Sequence, residues 1–557
     1  MARLSWSITP AHPLVLIGWE GRAGASEQEN AEQMVSEWRH IDPVVRACTA
    51  LIFLCTDPQR DALSRAAERE GIPFFVQVRT WMPPYIPTFG DTRRTWHAET
   101  ASIAQIREWY AQYPGMVGVQ AVELNCYGFS AEERGYMADL IELSADVGGL
   151  VSWQEANDGC NLWLEVGMDR ELYRCMARHP DVVLPQWEMN VPKSMYLCHD
   201  SVMGLWLAGA ADNWGLEPQS FYWLETGYTK LNRTPHEFDQ GYRRGDVAAC
   251  PDTLWGQMIL LGASSGATVY SIEPLLGVFV NRERTAYADP WRRSIEPLLA
   301  WLITERAIPS RRAVADKVRV AYYADFENAA FAERSDVDCY RDDRADDRRG
   351  GAHSPRGHGS GMLYAATYGM RHDWEMIPNT GRYYWIPVLP KLTSTDTLLA
   401  FPTVVTPNAF PDVAAARAFF DARCPQDGDG RGDAWMVGLV GTVFVSQTHE
   451  NLDVPERFSV DVPGLPLRVE GEVGAHQYLV VHRRDDGHVA LHLGNHPGRE
   501  SRCVVHRTAA VPAEAGGLRL LSAGDSRAER ADVEAIPDGD ALAIRVRHGG
   551  AVDLVVG

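Results

Sequence analysis

Eight short apolar runs, separated by helix-like stretches, occupy about the first 270 residues of this chain. The runs are 14–21, 50–57, 73–80, 118–125, 148–158, 182–190, 203–215 and 267–274. Stretches between them, such as 98–113 and 130–147, carry apolar residues at helical spacing and charges at the other positions. Short apolar strands that alternate with helices are typical of a parallel sheet, and eight of them predict a closed (β/α)8 TIM barrel. The alternative is an open doubly wound sheet, although no GxGxxG motif follows the first run.

The remaining residues of the 557-residue chain change pattern twice, as expected for a chain too long for one core. We assign the barrel to 1–315 and a small α/β extension to 316–435. Within the extension, the charged, Gly-rich stretch 340–361 is expected to form a surface loop. From 436 to 557, short alternating runs broken by Gly, Asp and Pro predict an all-β sandwich.

The formal net charge of -21 argues against some classes of partner. Nucleic-acid binding and docking to anionic lipid both need a basic surface, so neither is expected. No apolar stretch is long enough to cross a bilayer, and no signal peptide is visible, so the chain is either cytoplasmic or a mature form of an exported protein. The ten cysteines form no CxxC pair, and GxSxG, HExxH and Walker A motifs are absent. We therefore expect no metal and no cofactor, and the sequence does not indicate an oligomeric state.

Acidic residues accompanied by amides and tryptophans stand where several of these runs end. The residues are Trp19 and Glu20; Glu123 and Asn125; Trp153, Glu155, Asn157 and Asp158; Trp187, Glu188 and Asn190; Asp212, Asn213 and Trp214; and Glu273. In a (β/α)8 barrel the carboxyl ends of all strands meet on the face that carries catalysis. Two carboxyl groups can act as acid and base on a glycosidic bond, while asparagine binds hydroxyls and tryptophan stacks on sugar rings. The pattern therefore points to carbohydrate chemistry.

Four segments of the sequence resemble glycoside hydrolase family 98. They are GLWLAGAADNWGLEPQSFYW (204–223), YSIEP (270–274), GRYYWIPVLP (381–390) and SQTHENLDVPERF (446–458). The resemblance implies a barrel followed by a β-sandwich. It also implies an endo-acting, inverting enzyme on either blood-group galactosyl glycans or substituted xylan.

The resemblance also implies roles for individual residues. Glu123 would be the general acid, with Glu155 as the alternative, and Asp212 with Glu273 would activate water. The expected substrate contacts are Trp19, Asn125, Trp153, Glu155, Asn157, Trp187, Glu188, Asn190 and Trp214. Two other functions stay open at this point, namely a retaining hydrolase or transglycosidase on the same barrel, and a glycan-binding protein without catalysis.

Overall fold

The structure is a computed structural model that describes most of the barrel and of the C-terminal sheet. The described residues are 6–22, 24–55, 57–79, 101–122, 131–155, 163, 166–167, 169–189, 192–218, 252–272, 275–281, 283–323, 386–406, 415, 418–419, 422–423, 431–432, 434–446, 455–474, 477–508, 517–524 and 530–557. The predicted surface loop at 340–361 lies outside them.

Eight parallel strands close into a barrel in chain order. They are β1 Leu14–Trp19, β2 Thr49–Leu54, β3 Phe74–Arg79, β4 Met116–Val122, β5 Leu150–Glu155, β6 Val183–Met189, β7 Gly215–Pro218 and β8 Val269–Ile272. β8 pairs with β1 through Val269 and Leu14, which closes the ring. The predicted (β/α)8 barrel is therefore confirmed, and the alternative open sheet is wrong.

The described helices follow the strands along the chain. They are α1 Glu27–His40, α2 Pro43–Arg46, α3 Arg60–Glu70, α4 Ile103–Gln112, α5 Ala131–Val147, α6 Arg170–Arg178, α7 Pro192–Leu207, α8 Asp252–Ser264, α9 Glu296–Thr304, α10 Arg311–Lys317 and α11 Thr395–Leu399. Local sequence explains their ends: Ser26 and Glu29 form a capping box on α1, and Gly71 closes α3 at a φ of 69°. None of these helices combines the length and apolar character needed to span a membrane.

The predicted strand at 203–215 is wrong. Residues up to Leu207 belong to helix α7, and strand β7 begins only at Gly215. The last part of α7, residues 202–207, reads as an apolar run because the helix packs on two sides here, against the barrel and against a small sheet. At Gly204 an added Cβ would lie 1.8 Å from the carbonyl oxygen of Val388 in that sheet. A helix buried on both sides loses the one-sided pattern that distinguishes helix from strand.

The small sheet is the predicted α/β extension. Its strands are β9 Ala321–Tyr323, β10 Val388–Leu389 and β11 Val404–Val405, all parallel, in the order β10-β9-β11. The boundaries that we assign at 315 and 435 stay predictions.

Within the described residues, the C-terminal part is one antiparallel sheet of ten strands that encloses a second core. Its strands are β12 Arg431–Gly432, β13 Trp435–Leu439, β14 Thr442–Ser446, β15 Glu456–Asp461, β16 Leu467–Val473, β17 Tyr478–Arg483, β18 Val489–Arg507, β19 Leu520–Ala523, β20 Asp532–Asp538 and β21 Ala541–Val556. The first part of β18 pairs with β17 and its last part with β16, with a register shift against β21 between Asn495 and Arg499. The two long strands thereby contribute to both layers, and the predicted β-sandwich is confirmed.

One face of this sheet packs on the barrel. Trp435, Phe444 and Tyr478 belong to the same core as the barrel helices. Gln257 on α8 donates to Ser446 Oγ at 2.9 Å, inside that interface. The sheet therefore buttresses helix α8, which follows β7 in the chain.

Helix α8 also begins with a largely buried ion pair that makes stability depend on pH. Asp252 lies 3.4 Å from Arg293 Nη1, and its side chain is 16% exposed. Burial raises the pKa of Asp252 to about 6, and the positive charge of Arg293 only partly opposes this. Because the folded pKa lies above the unfolded one, the folded protein holds this proton more tightly, and stability falls as pH rises from about 4 to about 6.

An Asp252→Asn variant should escape this loss. We expect its free energy of unfolding to match that of the wild type near pH 4 and to exceed it by about 1–3 kcal/mol near pH 8. Denaturant unfolding of both proteins across this pH range measures the difference. A difference that does not change with pH would contradict the burial argument.

Candidate active site

Side chains along the barrel strands alternate between the interior and the surrounding helices. Near the amino ends of the strands the interior is apolar. This lower layer contains Leu14, Leu16, Ala50, Ile52, Phe75, Val117, Leu184 and Val269. Residues one position along, such as Val15 and Val183, belong instead to the outer core shared with the helices.

A layer of buried glutamine and serine side chains follows toward the carboxyl ends of the strands. Gln77 Nε2 donates to Gln120 Oε1 at 2.9 Å, and Gln120 Nε2 donates to Gln154 Oε1 at 2.9 Å. A second run of hydrogen bonds links Ser271, Gln186 and Ser152. We call these six side chains the polar layer. Because buried amides need partners in fixed directions, the polar layer gives the middle of the barrel a defined geometry.

Two glutamates lie just beyond the polar layer on neighbouring strands. Glu188 on β6 pairs in register with Glu217 on β7, and the two residues are 3% and 0% exposed. Their neighbours Trp187 and Leu216 belong to the outer core, so alternation points both glutamate side chains into the barrel. Neighbouring strands lie about 4.8 Å apart, which brings the two carboxyl groups within reach of one bound substrate. We refer to them as the glutamate pair.

Several predicted site residues lie outside the described residues: Glu123, Asn125, Asn157, Asp158, Asn190 and Glu273. Glu155 is the last residue of β5, and only its main chain belongs to the described part of the structure. Their sequence positions still relate them to the described strands. Glu123 follows Val122 at the end of β4, and Glu273 follows Ile272 at the end of β8.

Asp212 lies at the opposite edge of the barrel from the one predicted. It precedes β7, on the amino side of the strands, and lines a cavity of about 730 Å³. Its half-exposed carboxylate lies 3.3 Å from Arg311 Nη2, and Arg311 also donates to the carbonyl oxygen of Ala211 at 2.5 Å. The misplaced strand at 203–215 is the cause of this error. Asp212 is an ion-pair partner of α10, and the acidic residue at the carboxyl side of β7 is Glu217.

The tryptophans predicted to stack on sugar are core residues. Trp153, Trp187 and Trp214 are completely buried. Trp153 packs on Trp163, with ring centroids 4.9 Å apart, in the outer core. Since each belongs to that core, which barrel and helices share, none of them is available to stack on a sugar in the barrel interior.

Trp187 and Trp214 share a buried histidine on α7. His199 lies edge-on to Trp187, with ring centroids 4.9 Å apart, and to Trp214 at 5.3 Å. Its Nε2 is 3.0 Å from Ser265 Oγ. Burial holds the pKa of His199 well below its usual value, which keeps this ring neutral. The cluster is a packing unit between α7, α8 and the barrel.

Trp19 is likewise a packing residue. It is 2% exposed, and its Nε1 donates to Glu37 Oε2 at 2.5 Å. The guanidinium of Arg284 lies 4.4 Å from the centroid of the Trp19 ring and forms a buried ion pair with Glu37 at 3.2 Å. Trp19 therefore ties β1 to α1 and to the segment after β8, instead of facing a sugar.

A Trp214→Ala variant tests this reassignment. Removal of a fully buried indole should lower the free energy of unfolding by about 3–5 kcal/mol, because the surrounding rings cannot fill the cavity. Trp214→Phe, which keeps most of the packing, should cost clearly less. Denaturant unfolding measures both variants. If Trp214→Ala left the free energy of unfolding unchanged but weakened glycan binding, Trp214 would be a sugar contact after all.

Glu217 and the polar layer are candidate site residues that the sequence prediction missed. A period-two signal was available: Gln186 precedes Glu188 by two residues, and Ser271 precedes Glu273 by two. Such spacing on one strand predicts a shared face, and Gln186 and Glu188 both lie on β6. Among the described residues, no group of three or more His, Cys, Asp or Glu side chains is arranged to hold a metal ion.

Comparison with known proteins identifies the family. The model of glycosyl hydrolase family 98 matches residues 3–289, about half of the chain and nearly the whole barrel. The chain belongs to glycosyl hydrolase family 98. The resemblance drawn from the sequence is thus confirmed, and with it the assignment to the glycoside hydrolases.

A curated member of family 98 also matches in sequence. The blood-group-substance endo-1,4-beta-galactosidase of Clostridium perfringens is 26% identical over 330 residues, which are 53% of this chain and 38% of the relative. This chain therefore spans well under two thirds of that relative's length.

Solved family 98 structures share the fold. The catalytic module of a family 98 enzyme from Streptococcus pneumoniae, in complex with the H-disaccharide blood group antigen, superposes with a TM-score of 0.73 at 14% identity. The same module with the LewisY pentasaccharide gives 0.74 at 13% identity. Both alignments cover 99% of this chain and all of the other. At such low identity the likeness establishes the fold alone.

Proposed function

We propose that this chain is an endo-acting hydrolase that cleaves internal β-linkages of galactosyl glycans of the blood-group type, with inversion at the anomeric carbon. One observation carries the proposal: the family 98 match covers the barrel, and the carboxyl side of that barrel holds the buried glutamate pair. Glycoside hydrolysis needs carboxyl groups that donate and accept protons around one bond. The glutamate pair supplies such groups at the face where barrel enzymes carry out catalysis.

Glu217, in place of Asp212, acts with Glu273 as the base that activates water. Glu217 occupies the carboxyl side of β7, and Glu273 follows the end of β8. β7 and β8 are neighbours in the barrel, so we propose that Glu217 on β7 and Glu273, the residue that follows β8 in the sequence, activate one water molecule together. Glu188, beside Glu217, keeps its predicted role: it binds the substrate or shares a proton with Glu217.

Glu123 is proposed as the general acid. It follows β4, which β5 and β6 separate from β7 in the barrel. The glycosidic bond would then lie across the barrel mouth, between acid and base. Inversion requires about 6.5–9.5 Å between the two carboxyl groups, enough for a water molecule. The alternative acid, Glu155, stands in register with Trp187, an outer-core residue, so Glu123 is preferred.

The substrate assignment has two supports. The Clostridium perfringens relative is named for cleaving blood-group substance. The net charge of -21 favours a neutral glycan over a sulfated or sialylated one. Substituted xylan, which the sequence analysis left open, is the second substrate to test.

The proposal is tested by incubating the full chain with blood-group A, B, H and LewisY glycans and with substituted xylans, and identifying products by mass spectrometry. We expect oligosaccharide release from a galactosyl glycan by the wild type and none by Glu217→Gln. Oligosaccharide release from substituted xylan alone would make xylan, and not a galactosyl glycan, the substrate of this enzyme. Binding without release from any glycan would favour the non-catalytic alternative.

A further inference from the structure

The barrel is split on its carboxyl side between β7 and β8. Gly215 pairs with Val269 and Leu216 pairs with Tyr270, and within the described residues the pairing of these two strands ends there. β7 nevertheless continues to Pro218 along β6, and β8 continues to Ile272 along β1. Glu217 therefore lies on a strand whose main chain is no longer bonded to β8.

A side-chain hydrogen bond crosses this split. Ser271 Oγ, on β8, donates to Gln186 Oε1, on β6, at 2.6 Å. The amide of Gln186 in turn donates to Ser152 on β5. All three residues are completely buried, so solvent water does not compete for these bonds. Side-chain hydrogen bonds thus join β8, β6 and β5 at the level where the main-chain pairing of β7 with β8 has ended.

β7 contributes a glycine between the two bonded partners. Gly215 pairs in register with Gln186, and an added Cβ would lie 2.3 Å from the carbonyl oxygen of Val269. Glycine therefore allows β7 to lie close to β8 just below the split, which brings Ser271 within reach of β6.

The residues that follow the bridge on each strand carry the proposed chemistry. Glu188 comes two residues after Gln186, Glu217 two after Gly215, and Glu273 two after Ser271. A hydrogen bond that fixes the separation of β6 and β8 at this level also fixes the separation of the strand ends beyond it. Catalysis by positioned carboxylates is sensitive to displacements well below 1 Å.

We propose that Ser271 and Gln186 are positioning residues, whose hydrogen bond holds the carboxyl end of β8 at a set distance from the glutamate pair. This inference rests on the proposed hydrolase function. A purely structural bridge would stabilise the fold and leave the catalytic rate per folded molecule unchanged. A positioning bridge changes kcat with little change in KM, because the groups displaced are those that act in the transition state.

The test compares Ser271→Ala with Ser271→Thr, which keeps a hydroxyl group. We expect Ser271→Ala to lower kcat about 10- to 100-fold with KM within about threefold of wild type, and Ser271→Thr to recover most of the rate. Thr49→Val is the matched control, since the Thr49 hydroxyl is buried and donates to the carbonyl oxygen of Val45 at the amino end of β2. This control should keep its kcat. A wild-type kcat in Ser271→Ala, or an equal loss in Thr49→Val, would overturn the proposal.

A second measurement does not depend on turnover. Amide hydrogen exchange in the peptide that contains 215–218 should be at least several-fold faster in Ser271→Ala than in the wild type, while β2 is unaffected. Unchanged exchange there would refute the bridge even if no substrate were found. Faster exchange in a protein that cleaves no glycan would support the bridge while the hydrolase function itself fails.

Discussion

Glu217→Gln should lower kcat by about a hundredfold to ten-thousandfold, the range that a positioned general base contributes. The amide keeps the size and hydrogen-bonding shape of the carboxyl group but cannot take a proton from water. Glu217 is buried on the carboxyl side of β7, so the change alters the site without altering the surface. Steady-state kinetics on the glycan found in the screen measures the effect, and circular dichroism verifies that the variant is folded.

Asp212→Asn is the matched control for this variant. It removes the same charge only five residues earlier in the chain, but on the amino side of the barrel, where Asp212 pairs with Arg311. We expect its kcat to stay within about twofold of wild type, since a half-exposed ion pair contributes little beyond local stability. If Asp212→Asn were inactive and Glu217→Gln active, the base would have to be returned to Asp212.

Glu123→Gln should show a loss that depends on the leaving group. A general acid protonates the departing sugar oxygen, so cleavage of the natural glycan should fall about a hundredfold to ten-thousandfold. An aryl glycoside with an acidic phenol needs little protonation and should lose far less. The alkaline limb of the pH–rate profile should also disappear, because that limb reports the acid.

Glu155→Gln distinguishes the two candidate acids. Glu155 closes β5, next to β4, and should tolerate the change with a smaller loss that is the same for both kinds of substrate. A leaving-group-dependent loss in Glu155→Gln and not in Glu123→Gln would exchange the two assignments.

The fold was predictable because five of the eight apolar runs contain a whole barrel strand, and two more, 50–57 and 118–125, contain most of one. The run at 182–190, for example, contains β6 at Val183–Met189. Parallel strands buried on both faces are apolar throughout, and short connecting turns bound them clearly. The exception at 203–215 failed for a physical reason: the C-terminal end of helix α7 is covered by the barrel on one side and by β10 on the other, and so shows no polar face.

The site was less predictable because proximity along the chain was taken as proximity in space. Trp187 and Glu188 are adjacent, yet they lie on opposite faces of β6, one in the outer core and one in the interior. Strict alternation from the apolar Leu184 would have separated them and would have selected Gln186 and Glu188 together. Glu217 could not be selected in this way, because its strand had not been recognised.

The anomeric configuration of the first product tests the proposed chemistry most directly. Proton NMR during cleavage of a β-linked glycan shows whether the new reducing end appears first as the α or the β anomer. Direct attack by water held between Glu217 and Glu273 predicts the α anomer, which then equilibrates to the β form. Initial appearance of the β anomer would mean a covalent glycosyl-enzyme intermediate, and would contradict the assignment of these carboxylates to a water molecule.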